Sequence, residues 1–271
     1  MGSGVSFLLG LIQGATEFLP VSSSGHLALM QQLFSVKGDI LAYDVLLHFA
    51  TMLATVVYFR SDMAFLFVQW CRGFLPGGPR NGEGWSFGWA VIAGTAVTAA
   101  VGLPLKSVVE WAMTAPGAVG AGLLLTGAIL WRGSSIAPAK GNGGKVSLYQ
   151  GLCIGAVQGL AVLPGISRSG STIVAGLKTG LPRDDAFRFS FLLSLPAILG
   201  ATLLEMKDLL ELADWSSSLP HGWLAGTAAA FLSGYAALGL LRRLVSRGSW
   251  RPLAVYCAVL GVISIILSFP G

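Results

Sequence analysis

The sequence predicts an all-α polytopic membrane protein organised as an inverted repeat, each half one re-entrant helix hairpin plus three transmembrane helices. Three observations carry this. First, 54% of the 271 residues are hydrophobic and 11% are charged, where soluble domains carry about 25% charged residues. A chain this short cannot hide so much apolar surface in a water-soluble core. Second, two related polar stretches interrupt the apolar runs. Residues 13–26 read QGATEFLPVSSSGH and residues 158–172 read QGLAVLPGISRSGST; Gln13–Gly14 and Ser24–Gly25 recur as Gln158–Gly159 and Ser169–Gly170 at one offset of 145. Third, an arrangement of six spans and two hairpins gathers the basic loops on one side.

The first apolar run, 5–12, is too short for the roughly 20 residues that a bilayer requires. Gln13, Thr16 and Glu17 follow it, then Pro20, then a second short run at 27–34. Two short helices around a Pro/Ser/Gly break predict a re-entrant hairpin, tolerated at membrane depth only inside protein or beside an aqueous cavity. Residues 41–59 are the first full span; 63–71 continue the helix along or just beyond the interface, and 72–84 are a Pro/Gly-rich loop. Residues 85–103 and 117–131 are the second and third spans, separated by a loop or interfacial turn at 104–116 that carries Lys106 and Glu110. The polar stretch 132–145 divides a single membrane domain into halves of about 1–139 and 140–271. The run 146–163 is broken by Gln150 and Gln158, stops at 164–172 and returns at 173–181, a second re-entrant hairpin. Acids after Pro182 start a helix. The fourth span is 186–204, bent at Pro196; a polar acidic loop covers 205–221, and 222–241 and 250–269 complete the six.

In that arrangement the loops 60–84, 132–145, 178–188 and 242–251 share one side and hold 13 of the 17 Lys and Arg. The other side holds Lys37, Lys106 and Lys207, and Arg168 lies in the second hairpin. The basic side is the cytoplasmic one, so both termini lie outside. The net charge of +5 is therefore a topology signal. No basic run is interleaved with aromatics, which argues against nucleic acid as a partner. Cys71, Cys153 and Cys257 form no CxxC pattern, and the opening residues lack the basic flank of a signal peptide.

An acid in apolar surroundings defaults to a functional role. Glu17 is such an acid, and Gln13 lies one turn away on the same helix face. Ser22, Ser23, Ser24 and Gly25 follow Pro20; small residues there let backbone N–H groups approach an anion, with the positive end of a helix beginning near Ser24 behind them. His26 lies beside the same break. Arg168 is the cation of the second stretch, and its planar fork suits phosphate oxygens. Ser167, Ser169, Ser171 and Thr172 add hydroxyls there, and Gly165 and Gly170 add backbone access. The two turns together make an oxyanion cage, with Gln13, Ser22, Ser24, Gly25, Gly165, Ser167, Ser169 and Thr172 as its substrate contacts. His48, one turn after Asp44, either faces this cage or packs as an interfacial histidine; spacing does not decide. A purely structural Glu17–Arg168 ion pair is the competing account of the two charges. There is no GxxxxGK(S/T), HExxH or Rossmann fingerprint. Acid, imidazole, serine and arginine in a membrane cavity suit phosphoryl transfer from a lipid. Three routes are open: attack by Ser23, by His26, or by water. Ser23 leads, with His26 as general base or leaving-group acid, and Ser22 and Ser24 are its substitutes.

These stretches, QGATEFLPVSSSGH and PGISRSGSTI at 164–173, with YDVLLH at 43–48, resemble the signature motifs of the BacA-type undecaprenyl pyrophosphate phosphatase family over essentially the whole chain. The resemblance implies hydrolysis of undecaprenyl diphosphate to undecaprenyl phosphate and inorganic phosphate, recycling the carrier lipid of peptidoglycan and other envelope polymers. It also implies a divalent cation (magnesium or calcium), a place in the bacterial plasma membrane, a site open to the outer face, and bacitracin resistance on overproduction. The family often has a carboxylate where this chain has Gln13, which leaves Glu17 as the essential carboxylate and metal ligand. The implied partners are a polyprenyl diphosphate and the lipid bilayer, and a homodimer is compatible with both. Two other readings use the same residues. One is an inverted-repeat transporter or flippase for anionic lipids, in which Arg168 binds without chemistry. The other is a scaffold indifferent to Glu17 and Arg168.

Overall fold

A computed structural model describes residues 2–34, 36, 41–137, 139–140, 144–210 and 219–268. Among them there are helices and turns and no strand. The first hairpin is α1 (Ser3–Phe18) and α2 (Ser23–Leu33). Next come α3 (Leu41–Tyr58), α4 (Arg60–Arg72), α5 (Glu83–Gly102), a single 3-10 turn (Leu103–Leu105), α6 (Lys106–Met113) and α7 (Pro116–Gly133). The second hairpin is α8 (Leu148–Leu160) and α9 (Arg168–Lys178). The chain then runs through α10 (Arg183–Leu210), α11 (Trp223–Arg247) and α12 (Arg251–Ile266).

Three helical stretches are long and apolar enough to cross a membrane: Glu83–Met113, Arg183–Leu204 and Trp223–Arg247. A fourth is the pair α3 and α4, bent by 70°. α7 and α12 have 18 and 16 residues, roughly 24–27 Å at 1.5 Å per residue, a little under a hydrocarbon core of about 30 Å. Large apolar side chains such as Phe67, Leu203, Leu232 and Val259 remain exposed on these helices. That is the surface of a multi-pass membrane protein, whose solvent is lipid.

Several boundaries differ from those expected, each for a local reason. The stretch 104–116, expected to be a loop, is largely helical. Pro104 falls at the start of the 3-10 turn, where its missing N–H breaks nothing. The loop expected from residue 205 begins later, because α10 continues through Leu210 on strong helix formers. Gln150 does not interrupt α8. It closes a capping box with Ser147 at the start of that helix. Residues 168–172, expected in the second break, form the first turns of α9, because Ser167 caps Gly170. Met1, Lys37, the loop segment 211–218, residues 138 and 141–143 of the connector, and residues 269–271 lie outside the described residues.

The hairpins are packed by close backbone approach. A Cβ on Gly10 of α1 would sit 2.0 Å from the Gly226 carbonyl of α11, and one on Gly155 of α8 would sit 2.3 Å from the Gly94 carbonyl of α5. Gly10 and Gly155 are again 145 apart. Each hairpin therefore lies on a helix of the other half, with only glycine fitting the contact. The four basic loops meet at one end of the helices. Arg188 pairs with Asp62 at 2.6 Å and with Glu83, and stacks over Phe87. Arg183 donates to the Ser246 carbonyl, and Arg251 donates to Ser134 and lies over Trp131. At the other end Ser6 donates to the His221 carbonyl at 2.8 Å.

Candidate active site

Pro20 and Pro164 follow the two inner helices, and the chain must turn sharply before each outer helix begins. Both turns are closed by a serine cap: Ser22 Oγ accepts from the Gly25 N–H at 3.4 Å, and Ser167 Oγ from the Gly170 N–H at 3.1 Å. The caps differ in strain. Ser167 is extended, whereas Ser22 has φ 69° and is the one non-glycine residue with positive φ among the described residues. Such a conformation costs on the order of 1–3 kcal/mol and marks functional turns. Its carbonyl compensates by accepting from the His26 N–H and from His26 Nδ1, at 3.2 and 2.8 Å.

The first residues of the two outer helices, Ser23 and Arg168, are equivalents in the repeat, and both converge on Glu17. Arg168 Nη2 donates to Glu17 Oε1 at 2.5 Å, and Ser23 Oγ donates to Oε2 at 2.6 Å. Gln13 Nε2 also donates to Oε2, at 3.1 Å. The Glu17 side chain is 7% exposed and that of Arg168 19%. The two charges thus stabilise each other in a low-dielectric setting where either alone would be costly. Arg168 Nη1 is buried and has no partner among the described residues.

These groups open into a cavity of about 220 Å³. Of the expected site residues, Glu17, Ser22, Ser23, Ser24, His48, Ser167 and Arg168 line it. His48 thus belongs to the site. Its Nδ1 donates to the Asp44 carbonyl at 2.9 Å. Gln13 stands behind Glu17 and supports it. The others serve the turns instead of the cavity. Gly25 packs against Val119 and Gly165, and Gly165, at φ 84°, lies against the α7 backbone. Ser169 bonds Ser167, and Thr172 bonds Ser190 and the Arg168 carbonyl. His26 departs furthest from expectation. Its Nδ1 holds the Ser22 carbonyl and its Nε2 meets the Tyr256 hydroxyl of α12 at 2.7 Å. Ser23 is hydrogen-bonded to Glu17 and not to His26. The group next to the Ser23 hydroxyl is the Glu17 carboxylate, and the His26 imidazole bridges the turn and α12.

Three lining or supporting residues were missed. Gln158 lines the cavity and donates to Thr98 Oγ1 at 3.2 Å, leaving its buried Oε1 without a partner among the described residues. Its position as the repeat equivalent of Gln13 was the available signal. Thr98 and Tyr256 gave none: membrane helices use threonine freely for bonds to their own carbonyls, and a tyrosine in an apolar span reads as packing. No group of three or more His, Cys, Asp or Glu suited to a metal occurs among the described residues. Glu17 is the carboxylate of the cavity, and a magnesium ion commonly needs only one or two carboxylates when substrate phosphates supply other ligands. The donor set therefore fits a cation that arrives on a diphosphate.

The chain matches the family described as Bacitracin resistance protein BacA over residues 6–263. It is 44% identical to the Undecaprenyl-diphosphatase of Desulfosudis oleivorans, over 95% of this chain and 96% of that one. It is 37% identical to the Undecaprenyl-diphosphatase of Carboxydothermus hydrogenoformans, over 100% and 99% of the two chains. The protein of the same name from Methanosphaera stadtmanae is 38% identical, over 97% of each. Since the match takes in both hairpins and the helices that hold them, the chain belongs to the BacA family.

Proposed function

We propose that the protein is an undecaprenyl-diphosphatase, which hydrolyses undecaprenyl diphosphate to undecaprenyl phosphate and inorganic phosphate. It thereby recycles the carrier lipid for cell-wall synthesis and opposes bacitracin. The observation that carries this is the triad at the two tips: a serine hydroxyl held by a buried carboxylate, which is itself held by a guanidinium with one N–H unused. When the diphosphate enters, Arg168 shifts its donors from Glu17 to the terminal phosphate. Glu17, released from its counter-charge, becomes a stronger base for Ser23. Ser23 Oγ attacks the terminal phosphorus as its proton passes to Glu17. The bond to the bridging oxygen breaks, and undecaprenyl phosphate leaves. Glu17 passes its proton to the departing phosphate oxygen. Water then attacks the phosphoserine, giving a proton to the restored carboxylate. The Oγ–P bond breaks as Glu17 returns that proton to Ser23 Oγ, and inorganic phosphate departs. Arg168 and the N–H groups at the starts of α2 and α9 stabilise the charge that grows on the equatorial oxygens. A Mg²⁺ or Ca²⁺ ion bound with the diphosphate would be held by Glu17 and would neutralise phosphate charge. A carrier that only moved the lipid would have no use for a serine aimed at a carboxylate, so the transporter reading is not favoured.

The test is release of inorganic phosphate from undecaprenyl diphosphate by the purified protein, followed by acid quench of labelled substrate. The expected adduct is an acid-stable phosphoserine on Ser23. An acid-labile adduct on His26 would reassign the nucleophile.

The proposed topology is six spans and two re-entrant hairpins in inverted halves, with both termini and the cavity mouth on the outer face of the plasma membrane. Two features support it. The four basic loops touch one another, as loops on one side must. The two hairpins also make equivalent glycine contacts on reciprocal helices. A reporter fused in the 132–145 connector should read as cytoplasmic, and an external reading would overturn the arrangement.

A further inference from the structure

We propose that the seam between α5 and α10 is a trough for the polyprenyl chain of the substrate, and that Gly200 keeps it open; this rests on the phosphatase reading. The catalytic cavity is not closed on that side. Thr98, Val162, Ala197 and Ala201 line it and also line a second cavity of about 530 Å³. The second cavity's further walls are almost wholly apolar, among them Ala99, Leu103, Pro196 and Leu204. A third cavity, of about 290 Å³, shares Pro196 with the second and continues along the same helices past Ile92 and Leu192 to Phe87.

The α5 positions in the two apolar cavities are 87, 88, 91, 92, 95, 98, 99 and 102, one continuous helix face that the 3-10 turn extends to Leu103. Those of α10 run in the same direction, from 192 to 204. From 87 to 103 the seam is roughly 24 Å long at 1.5 Å per residue, most of the hydrocarbon depth. Pro196, inside α10, lies where the two apolar cavities meet; a proline there removes a helix hydrogen bond. A chamber of about 220 Å³ with Glu17, Arg168 and the serines in its wall, leading into an apolar trough of that length, fits an anionic headgroup on a long hydrocarbon chain. A small soluble phosphate compound would leave the trough unused.

Gly200 identifies the trough as a feature the fold does not need for itself. A glycine inside a helix costs about 1 kcal/mol relative to alanine, and most glycines here repay it through close helix contact. A Cβ built on Gly200 meets nothing within 4 Å, although the residue lines the second cavity. A larger side chain at this position is compatible with the helix and projects into the trough.

The experiment uses purified protein in lipid nanodiscs, assayed with undecaprenyl diphosphate and with farnesyl diphosphate. A second readout is photolabelling of the unmodified protein by a polyprenyl diphosphate that carries a diazirine midway along its chain. Gly200→Phe is expected to raise KM for undecaprenyl diphosphate by at least about tenfold, the scale of losing a few buried methylene contacts. It should lower kcat/KM for that substrate relative to farnesyl diphosphate by a similar factor. Ile92→Trp, in the third cavity, should shift the same ratio in the same direction. The diazirine adducts should map to residues 87–103 and 192–204. An unchanged chain-length ratio in both variants, or adducts confined to α7 and α12, would overturn the trough. If the unmodified protein released no phosphate from either substrate, the phosphatase reading would fall, and the adduct map alone would decide the trough.

Discussion

Arg168→Ala should lower kcat/KM for undecaprenyl diphosphate by a factor on the order of 1,000, measured as phosphate release by the purified variant. The guanidinium is the cation of the cavity, it is nearly buried, and one of its nitrogens is unused before substrate arrives. Removing it takes away both the phosphate clamp and the device that switches Glu17 from ion pair to base. Arg168→Lys should recover only a small part, since an ammonium cannot serve two phosphate oxygens in a planar fork. The alanine variant should also melt earlier, because it strands Glu17 as a buried uncompensated charge, a loss of about 3–5 kcal/mol for a fully desolvated pair. Adding Glu17→Gln to Arg168→Ala separates the two effects: thermal stability should return, while turnover should stay well below that of Glu17→Gln alone. A double variant that regains activity along with stability would reduce Arg168 to a structural ion pair.

Glu17→Gln should lower kcat by about 10²–10⁴-fold while changing KM much less, as expected for loss of a positioned proton acceptor. The amide can still accept a hydrogen bond from Ser23 but cannot take its proton. The phosphoserine signal after acid quench should disappear with it. If KM rises instead and kcat holds, Glu17 is a binding group and the acceptor must be sought elsewhere in the cavity, with His48 next. The neighbouring Gln13 gives a complementary control. Its amide nitrogen faces Glu17 Oε2 at 3.1 Å, so Gln13→Glu places two carboxylates together and forces a shared proton or a bound cation. Its activity should therefore respond more steeply to added magnesium than that of the unmodified protein.

How far the chemistry could be read in advance depended on how local its signals were. Glu17, Ser23 and Arg168 stood out because charge and hydroxyl are expensive in an apolar chain, and their spacing repeated. The hairpin breaks were visible for the same reason, through Pro20, Pro164 and the capping serines. The hydrogen-bond partner of Ser23 was not visible. Ser23 and His26 are three residues apart and read as a catalytic pair, yet the reversed backbone at Ser22 turns the imidazole to the Ser22 carbonyl and to Tyr256. A single positive φ on a non-glycine residue is not written in side-chain pattern. Thr98 and Gln158 come from different halves and meet only because α8 lies on α5. Helix ends failed where propensity and punctuation disagreed, at Pro104 and after residue 204.

The glycine contact between α1 and α11 also sets a timetable. α1 leaves the ribosome long before α11, and the surface it fits there lies between Gly226 and Gly234. At about 5–20 residues per second the ribosome needs roughly ten to forty-five seconds to make that surface. Throughout that interval α1, with its buried Ser6, Gln13 and Glu17, lacks its packing partner, and until residue 168 is made it also lacks the guanidinium that neutralises Glu17. A helix of that polarity is poorly suited to wait alone in hydrocarbon, so the nascent chain must keep it at the water interface or against the insertion machinery. The hairpin that carries Ser23 is thus made well before the helix on which it is seated.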